Sequence, residues 1–300
     1  MEKSVLLFGG SGFIGARLTK KLLAEGYHVC VVCTNLEKAR MILERNTHLD
    51  IQAIDIFSVK AVQELVKSHD VVVNLIGKLF EKRVGDFQRF HQHFPELLAG
   101  VISDQQHFIH ISALAVEQAA ETSLYARTKW AGEQAVVAQA KHYHILKPSI
   151  VFGAEDRFFN FFANMARFSP FLPLVGGGKT LFAPVYLDDL TNAIFRLIKK
   201  NPSDKNRIFE AYGPDTASFK VLMQFLLHTI RRKRVLLTLP SSFAGMQARL
   251  LNHLGVYWLT PDQVELLKYD NVSSNQYPNI DQFVSKMQHY QVVVPQYLRA

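Results

Sequence analysis

The run Val5-Leu6-Leu7-Phe8-Gly9-Gly10-Ser11-Gly12-Phe13-Ile14-Gly15 constrains this chain more than any other stretch. Its apolar start reads as a buried strand. A glycine-rich turn follows at once, and Ala16 to Glu25 reads as a helix closed by Gly26. Glycines at 9, 12 and 15 permit a tight turn, a close approach of backbone to ligand, and close packing of helix on strand. The amides at the helix start have no intrahelical acceptor and face that ligand. They favour an anion, most simply a dinucleotide pyrophosphate. The strand before and the helix after give the glycine spacing its meaning. Gly9, Ser11, Gly12, Phe13, Ile14 and Gly15 are therefore the first candidates for cofactor binding.

The alternation continues through the first half. Strands are expected at 4–8, 28–33, 50–54, 70–75, 107–112 and 143–147, and helices at 13–25, 37–45, 58–67, 86–102 and 124–141. Apolar runs separated by helical patterns imply parallel strands with crossover helices. The expected fold is α/β, a Rossmann-type doubly wound parallel sheet with its ligand at the carboxyl ends of the strands. Asn74 and Ser112 are the polar residues at those ends. After residue 150 the pattern loosens into a phenylalanine-rich helix (158–168), a Pro/Gly-bearing loop (169–178) and short strands at 184–187 and 207–211. The expected division is a dinucleotide-binding domain over 1–150 and a smaller α/β substrate-side domain over 151–300, partly interleaved with the first.

At 300 residues, 48% hydrophobic and 20% charged, the chain suits one large or two modest domains with a real core. No stretch of 18 or more apolar residues occurs, so no spanning helix is expected. The first strand is expected to begin by residue 5, and on that reading no signal or transit peptide is expected. A cytoplasmic protein follows, or one held peripherally at the cytoplasmic face of a membrane. The net charge of +8 suits an anionic partner. No nucleic-acid motif accompanies it, and nucleic acid is not expected. The densest run, Arg231-Arg232-Lys233-Arg234, is either a solvated connection or an attraction for anionic lipid. Cys30 and Cys33 lie three apart in a strand-like run, on opposite faces and too far apart for a disulfide.

Tyr125-Ala126-Arg127-Thr128-Lys129 is the second informative motif. A four-residue spacing on a helix stacks Tyr125 and Lys129 on one face. An ammonium near a phenol is expected to lower the phenol's pKa, and a phenol so tuned exchanges a proton with a carbonyl or hydroxyl while a nicotinamide exchanges a hydride. Lys129 also has donors for a cofactor ribose. Ser112, at the end of its strand, can hydrogen-bond the same substrate oxygen. Tyr125, Lys129 and Ser112 are the catalytic candidates.

With these residues in place, the chain resembles the extended or atypical short-chain dehydrogenases/reductases. The resemblance rests on the glycine turn, Ser112, Tyr125 with Lys129, and the runs 147–153 and 184–190. Residues 153–163, 172–180 and 259–265 make it similar, more narrowly, to the nucleotide-binding accessory subunits of respiratory complex I and their bacterial relatives. The resemblance implies a tightly held NADP(H), an association with membrane quinone systems or ubiquinone biosynthesis, and no firmly assigned reaction. It adds Asp55 and Ile56 as adenine contacts, and Leu75, Ile76, Gly77, Ile111, Pro148, Ser149 and Val151 along the cofactor. At the end of the second strand, Cys33-Thr34-Asn35 offers no acid for the ribose hydroxyls of NAD. The arginines that the family places there are missing too. Thr34 and Asn35 can hydrogen-bond a phosphate, and Lys38 and Arg40 lie close by, so NADP(H) is favoured over NAD(H).

Other features weigh less. His91 and His93 do not face each other on a helix, His107 and His110 point to opposite faces of a strand, and His142 and His144 share a face without a carboxylate or third ligand, so no metal site is expected. Glu155-Asp156-Arg157 is either a substrate-side constellation or a domain-locking ion pair, and the ion pair is favoured. Phe243 to Trp258 is amphipathic, either packed on the core, lying on a membrane, or lining an entry for an isoprenoid substrate. Two functions follow. One is an oxidoreductase acting on a small apolar carbonyl or quinone-pathway substrate, with an epimerase or dehydratase as a variant. The other is a non-catalytic accessory or assembly factor that keeps a nucleotide as a folding staple beside a respiratory or quinone-pathway partner.

Overall fold

A computed structural model describes residues 3–200, 207–240 and 260–298. The amphipathic stretch 243–258 lies outside the described residues. Six strands occur where the alternation places them: β1 (Ser4–Phe8), β2 (His28–Val32), β3 (Leu49–Gln52), β4 (Val71–Asn74), β5 (His107–Ile111) and β6 (Tyr143–Pro148). The second half adds β7 (Val151–Phe152), β8 (Phe171–Val175), β9 (Leu181–Phe182), β10 (Val185–Tyr186), β11 (Arg207–Ala211), β12 (Ala217–Ser218) and β13 (Val235–Leu239). The central sheet has seven strands in the order β11-β6-β5-β4-β1-β2-β3, and every pairing in it is parallel. The order reverses between β1 and β4. The loops leaving those two strands part there and open a crevice.

Both faces of the sheet are covered, as continuous apolar strands require. One face buries α1 (Phe13–Ala24), α2 (Leu36–Ile42) and α7 (Leu187–Lys199) through Leu18, Leu22, Leu43, Leu190, Ile194 and Leu197. The other buries α3 (Val59–Lys67), α4 (Phe94–Val101) and α5 (Leu124–Gln139) through Val62, Val66, Phe94, Leu98 and Val136. A second core holds α6 (Phe159–Phe168) against α8 (Phe219–Thr229), β8 and the helix Tyr290–Tyr297. The strand Arg207–Ala211, expected in the smaller unit, instead extends the central sheet beside β6.

Three local expectations differ from what is observed. Residues 171–175, expected in a loop, form a strand paired in parallel with β13. Pro173 is tolerated because, among the described residues, β8 has one neighbouring strand and its other edge needs no N–H donor. The expected helix 86–102 is two pieces, a π-helical turn (Gln88–His93) running into α4. Finally, Asp156 makes no ion pair with Arg157. Its carboxylate accepts from the amides of Gly153 (3.3 Å), Phe159 (2.6 Å) and Asn160 (3.3 Å) and from the Tyr297 hydroxyl (2.6 Å). It caps α6 and fastens the C-terminal helix to it.

Several histidines are sealed inside. His107 and His144 meet at 2.6 Å, and burial beside His144 pushes His107 down to about 3. His110 contacts Asn74 at 3.2 Å, and burial takes it well below its ordinary value, as it does His91 in the π-helical turn. Below an unfolded-state pKa near 6.5 the unfolded chain therefore binds protons that the folded chain refuses. Stability is fully present above that pH and is lost as the pH falls through it. Between pH 7 and pH 5 each of His91, His107 and His110 is expected to cost about 2 kcal/mol, read as a falling urea midpoint.

Candidate active site

The glycine turn lies at the β1 side of the crevice. Gly9 has φ +86°, which an L side chain rarely adopts. A Cβ on Gly15 would lie 2.2 Å from the Gly9 carbonyl oxygen, so only glycine lets α1 sit this close to the turn. A Cβ on Gly12 would meet only the Gly9 oxygen, at 3.2 Å, and the position is open to solvent. The Thr19 hydroxyl donates to the Gly10 carbonyl at 3.1 Å and holds the turn from below. Ser11, Phe13 and Ile14 are partly exposed around the helix start, where the first amides have no helical acceptor. Leu75 and Ile76, at the end of β4, face the turn across the crevice, within 3.3 Å of where a Gly9 Cβ would stand. Gly77 is open on every side. The geometry is a cradle with free donors, and it fits a dinucleotide pyrophosphate.

Around the rim the remaining candidates divide. Thr34 and Lys38 are exposed at the end of β2. The Asn35 side-chain oxygen accepts from the Lys38 amide at 2.9 Å, so it serves as the N-cap of α2. Arg40 sits near enough to Cys33 for its charge to work against the burial that pushes that thiol up. Glu37, in the same turn, is the acid that Lys38 and Arg40 oppose. Asp55 is exposed and accepts from the Phe57 amide at 3.0 Å, while Ile56 is buried in the core. The Ser149 hydroxyl is turned away to Asn271, donating to its side chain at 2.7 Å. Pro148 is buried and Val151 partly so, in the pairing of β7 with β10.

On the β5 side the catalytic candidates stand together. Lys129 is only 3% exposed, and its ammonium donates to the Ile111 carbonyl at 2.6 Å. That contact ties α5 to the end of β5. The next residue, Ser112, is buried, and its hydroxyl has no hydrogen-bond partner among the described residues. The Tyr125 ring stands edge-on to His91 (5.1 Å) and Phe87 (5.6 Å). His91 is fixed on both ring nitrogens: Nε2 accepts from the Lys78 amide at 3.0 Å, and Nδ1 meets the Thr128 hydroxyl at 3.4 Å. The π-helical turn that carries His91 approaches α5 at Gly132, where a Cβ would lie 1.9 Å from the His91 carbonyl oxygen.

The electrostatics differ from the expectation. Burial, reinforced by the Asp262 carboxylate, pushes the Tyr125 phenol up to about 12. Lys129 does not lower it. The lysine is itself pulled down to about 8 by burial, with Glu133 acting in the opposite direction. Burial is the largest cause of both shifts, and each moves its group toward the uncharged form. Glu133 is one helical turn past Lys129 and is buried against Lys147 at 3.0 Å. Its position four residues after Lys129 was a readable signal. Asp262 lies in the run 259–265 that carries the resemblance, but nothing in that run points to Tyr125. It comes from 137 residues away and accepts from the Ser123 hydroxyl (2.8 Å) and the amides of Leu124 (2.7 Å) and Tyr125 (3.0 Å). It therefore caps the helix that presents the phenol. Beside it, Leu266 and Tyr269 pack on the cluster that includes Tyr125. Among the described residues no group of three or more candidate ligands comes together to hold a metal.

A model of the NAD dependent epimerase/dehydratase family matches residues 5–211. Over 95% of its length the chain is 28% identical to the mitochondrial NADH dehydrogenase [ubiquinone] 1 alpha subcomplex subunit 9 of Arabidopsis thaliana, covering 75% of that protein. The same subunit of Mus musculus is 30% identical over 92% of the chain and 74% of its own length. In fold, the chain is similar to a UDP-glucuronic acid 4-epimerase from Bacillus cereus, solved with UDP-glucuronic acid and NAD. The TM-score is 0.72, with 18% identity over 98% of each chain.

The Glu133–Lys147 pair gives a direct test of this site's electrostatics. Glu133→Gln leaves the Lys147 ammonium buried without a counter-charge, and a loss of about 3–5 kcal/mol in urea unfolding is expected. Glu133→Gln with Lys147→Met removes both charges and is expected to recover most of that loss.

Proposed function

The chain belongs to the NAD dependent epimerase/dehydratase family, and from that premise we propose that it is an NADP(H)-dependent oxidoreductase acting on a small apolar carbonyl or quinone-pathway substrate. The observation that carries this reading is the Ser112 hydroxyl, buried and unpartnered one residue past the carbonyl that holds Lys129. Leaving such a group unsatisfied costs about 1–3 kcal/mol, and a substrate oxygen would relieve that cost. The nicotinamide, when bound, supplies or accepts the hydride. In the reductive direction Ser112 orients the substrate oxygen and Tyr125 donates the proton. A phenol pushed up to about 12 is protonated at neutral pH, as a proton donor must be. In this reading Lys129, anchored on Ile111, supplies donors for the cofactor ribose. The apolar surroundings of Tyr125, with Phe87 and Leu266 against the phenol's cluster, favour an apolar substrate over a sugar.

The preference for NADP(H) rests on Lys38 and Arg40 in α2, which follows β2, and on the exposed Thr34 between the two elements. NADPH is expected to bind more tightly than NADH in a fluorescence titration, and Lys38→Gln to narrow the difference. Tighter NADH binding by the wild type would reverse the assignment.

A second reading is favoured by the likeness to the subunit 9 proteins. In it the chain is an accessory or assembly factor that holds the nucleotide beside a respiratory or quinone-pathway protein in the cytoplasm. A bound nucleotide at about 100 times its Kd would stabilise the fold by about 2.7 kcal/mol whether or not it reacts. One experiment separates the two. The NADPH-loaded protein is mixed with a membrane-lipid extract and nicotinamide fluorescence is followed. The oxidoreductase reading predicts a decay that Tyr125→Phe slows by about a hundredfold or more, with nucleotide affinity retained. Equal stability of the two proteins, with no decay in either, favours the accessory reading.

A further inference from the structure

Charge is unevenly distributed along this chain. Residues 157–187 and 216–239 contain no Asp or Glu and hold eight basic residues, four of them consecutive at 231–234. Of the chain's 34 basic residues, 26 then remain to face 26 acidic ones, so these two segments account for the whole net charge of +8. The two segments are also one body in space. They contribute α6, β8, α8 and β13, which pack together in the second core.

Printed contacts place the basic run against apolar side chains. The Arg234 Nε donates to the Ala166 carbonyl at 2.7 Å, which sets the run at the end of α6 beside Arg167 and Phe168. The Val235 amide donates to the Pro170 carbonyl at 3.1 Å, and β13 then pairs with β8 in the register Val235 to Phe171 and Leu237 to Pro173. Leu236 packs on the core, so by the two-residue alternation Val235 and Leu237 face outward. Phe168 is 90% exposed, Val235 57%, Phe171 48% and Leu237 46%, and Arg231, Arg232 and Lys233 are exposed beside them. A solvated connection accounts for a basic run. It does not account for large apolar side chains exposed next to that run.

We propose that this basic and apolar face is a docking surface for an anionic lipid bilayer, with Phe168, Phe171, Val235 and Leu237 entering the headgroup region and the 231–234 run meeting lipid phosphates. The combination selects the partner. Nucleic acid or an acidic protein would match the charge but would not require exposed phenylalanine on the same face, whereas an interfacial membrane site uses both. The inference is independent of whether the site above turns over a substrate.

The test uses the whole chain and two vesicle types, phosphatidylcholine alone and phosphatidylcholine partly replaced by phosphatidylglycerol. Co-sedimentation is expected with the anionic vesicles only and is expected to weaken with added salt. Each basic residue at such a surface strengthens binding about fivefold, so Arg231→Gln/Arg232→Gln/Lys233→Gln is expected to lose about a hundredfold. Phe168→Ser, with unchanged charge and an unchanged unfolding midpoint, is expected to lose about tenfold. The remote Lys20→Gln/Lys60→Gln/Lys67→Gln is expected to stay within about threefold of wild type. Indifference to lipid charge overturns the proposal, as does an equal loss in the remote triple variant. Loss in the 231–233 variant with none in Phe168→Ser also overturns it, and assigns the face to nucleic acid or an acidic protein.

Discussion

The reversal of strand order between β1 and β4 is the constraint from which the rest of the site follows. A parallel strand can be reached only by a crossover, and crossovers that leave in opposite directions cannot fill the space between them with backbone. The protein must therefore present a crevice at the carboxyl ends of those strands. What the chain controls is its lining. On one side it places glycines so that α1 can approach until a Cβ on Gly15 would overlap the Gly9 carbonyl. On the other it places Asn74, whose side-chain oxygen accepts from the Ile76 amide at 3.1 Å and turns the chain away from the opening.

Farther along the same edge the governing force is desolvation. Lys129, Glu133 and Lys147 are all buried, and the chain keeps them by pairing: the Lys129 ammonium on the Ile111 carbonyl, and the Lys147 ammonium on Glu133. Charges kept this way are positioned more firmly than charges in water, because releasing either partner would strand the other in a dry interior. The same dryness raises Tyr125 and lowers Lys129, so each moves toward its uncharged form. A polar ligand entering beside Ser112 would change that balance at once, since the phenol, the ammonium and the unpartnered hydroxyl share one end of β5.

Much of this was legible in the residues. The strand–turn–helix at 5–25, the alternation up to residue 148 and the Tyr125/Lys129 pair are local patterns of period and spacing, and they appear where those patterns put them. Less legible was anything that depends on a neighbour distant in sequence. Arg207–Ala211 reads as a short isolated strand, and nothing in its five residues says that it completes the central sheet beside β6. Phe171–Val175 reads as loop because Pro173 normally argues against a strand, and only its edge position makes the proline harmless. The sign of the Tyr125 shift was missed for a related reason. Spacing on a helix shows that an ammonium is near, but not how much water both groups have lost.

Three fastenings between residues more than 100 apart show how the second half of the chain completes the first. Asp262 caps α5 at Tyr125, Asn271 accepts the Ser149 hydroxyl, and the Tyr297 hydroxyl reaches Asp156. Each joins a turn at the carboxyl edge of the sheet to a segment from beyond residue 260. Each also satisfies a group that a Rossmann-type sheet alone would leave open at that edge: helix amides, a buried hydroxyl, a buried carboxylate. The C-terminal segments are thus part of the floor and wall of the site. The segment carrying Asp262, Leu266 and Tyr269 adds to the apolar surroundings of Tyr125 and brings the carboxylate that raises its pKa further. A sheet formed without that docking would keep the glycine cradle and lose the tuning of the phenol. The glycine cradle and the shift of the phenol therefore rest on different stretches of the chain.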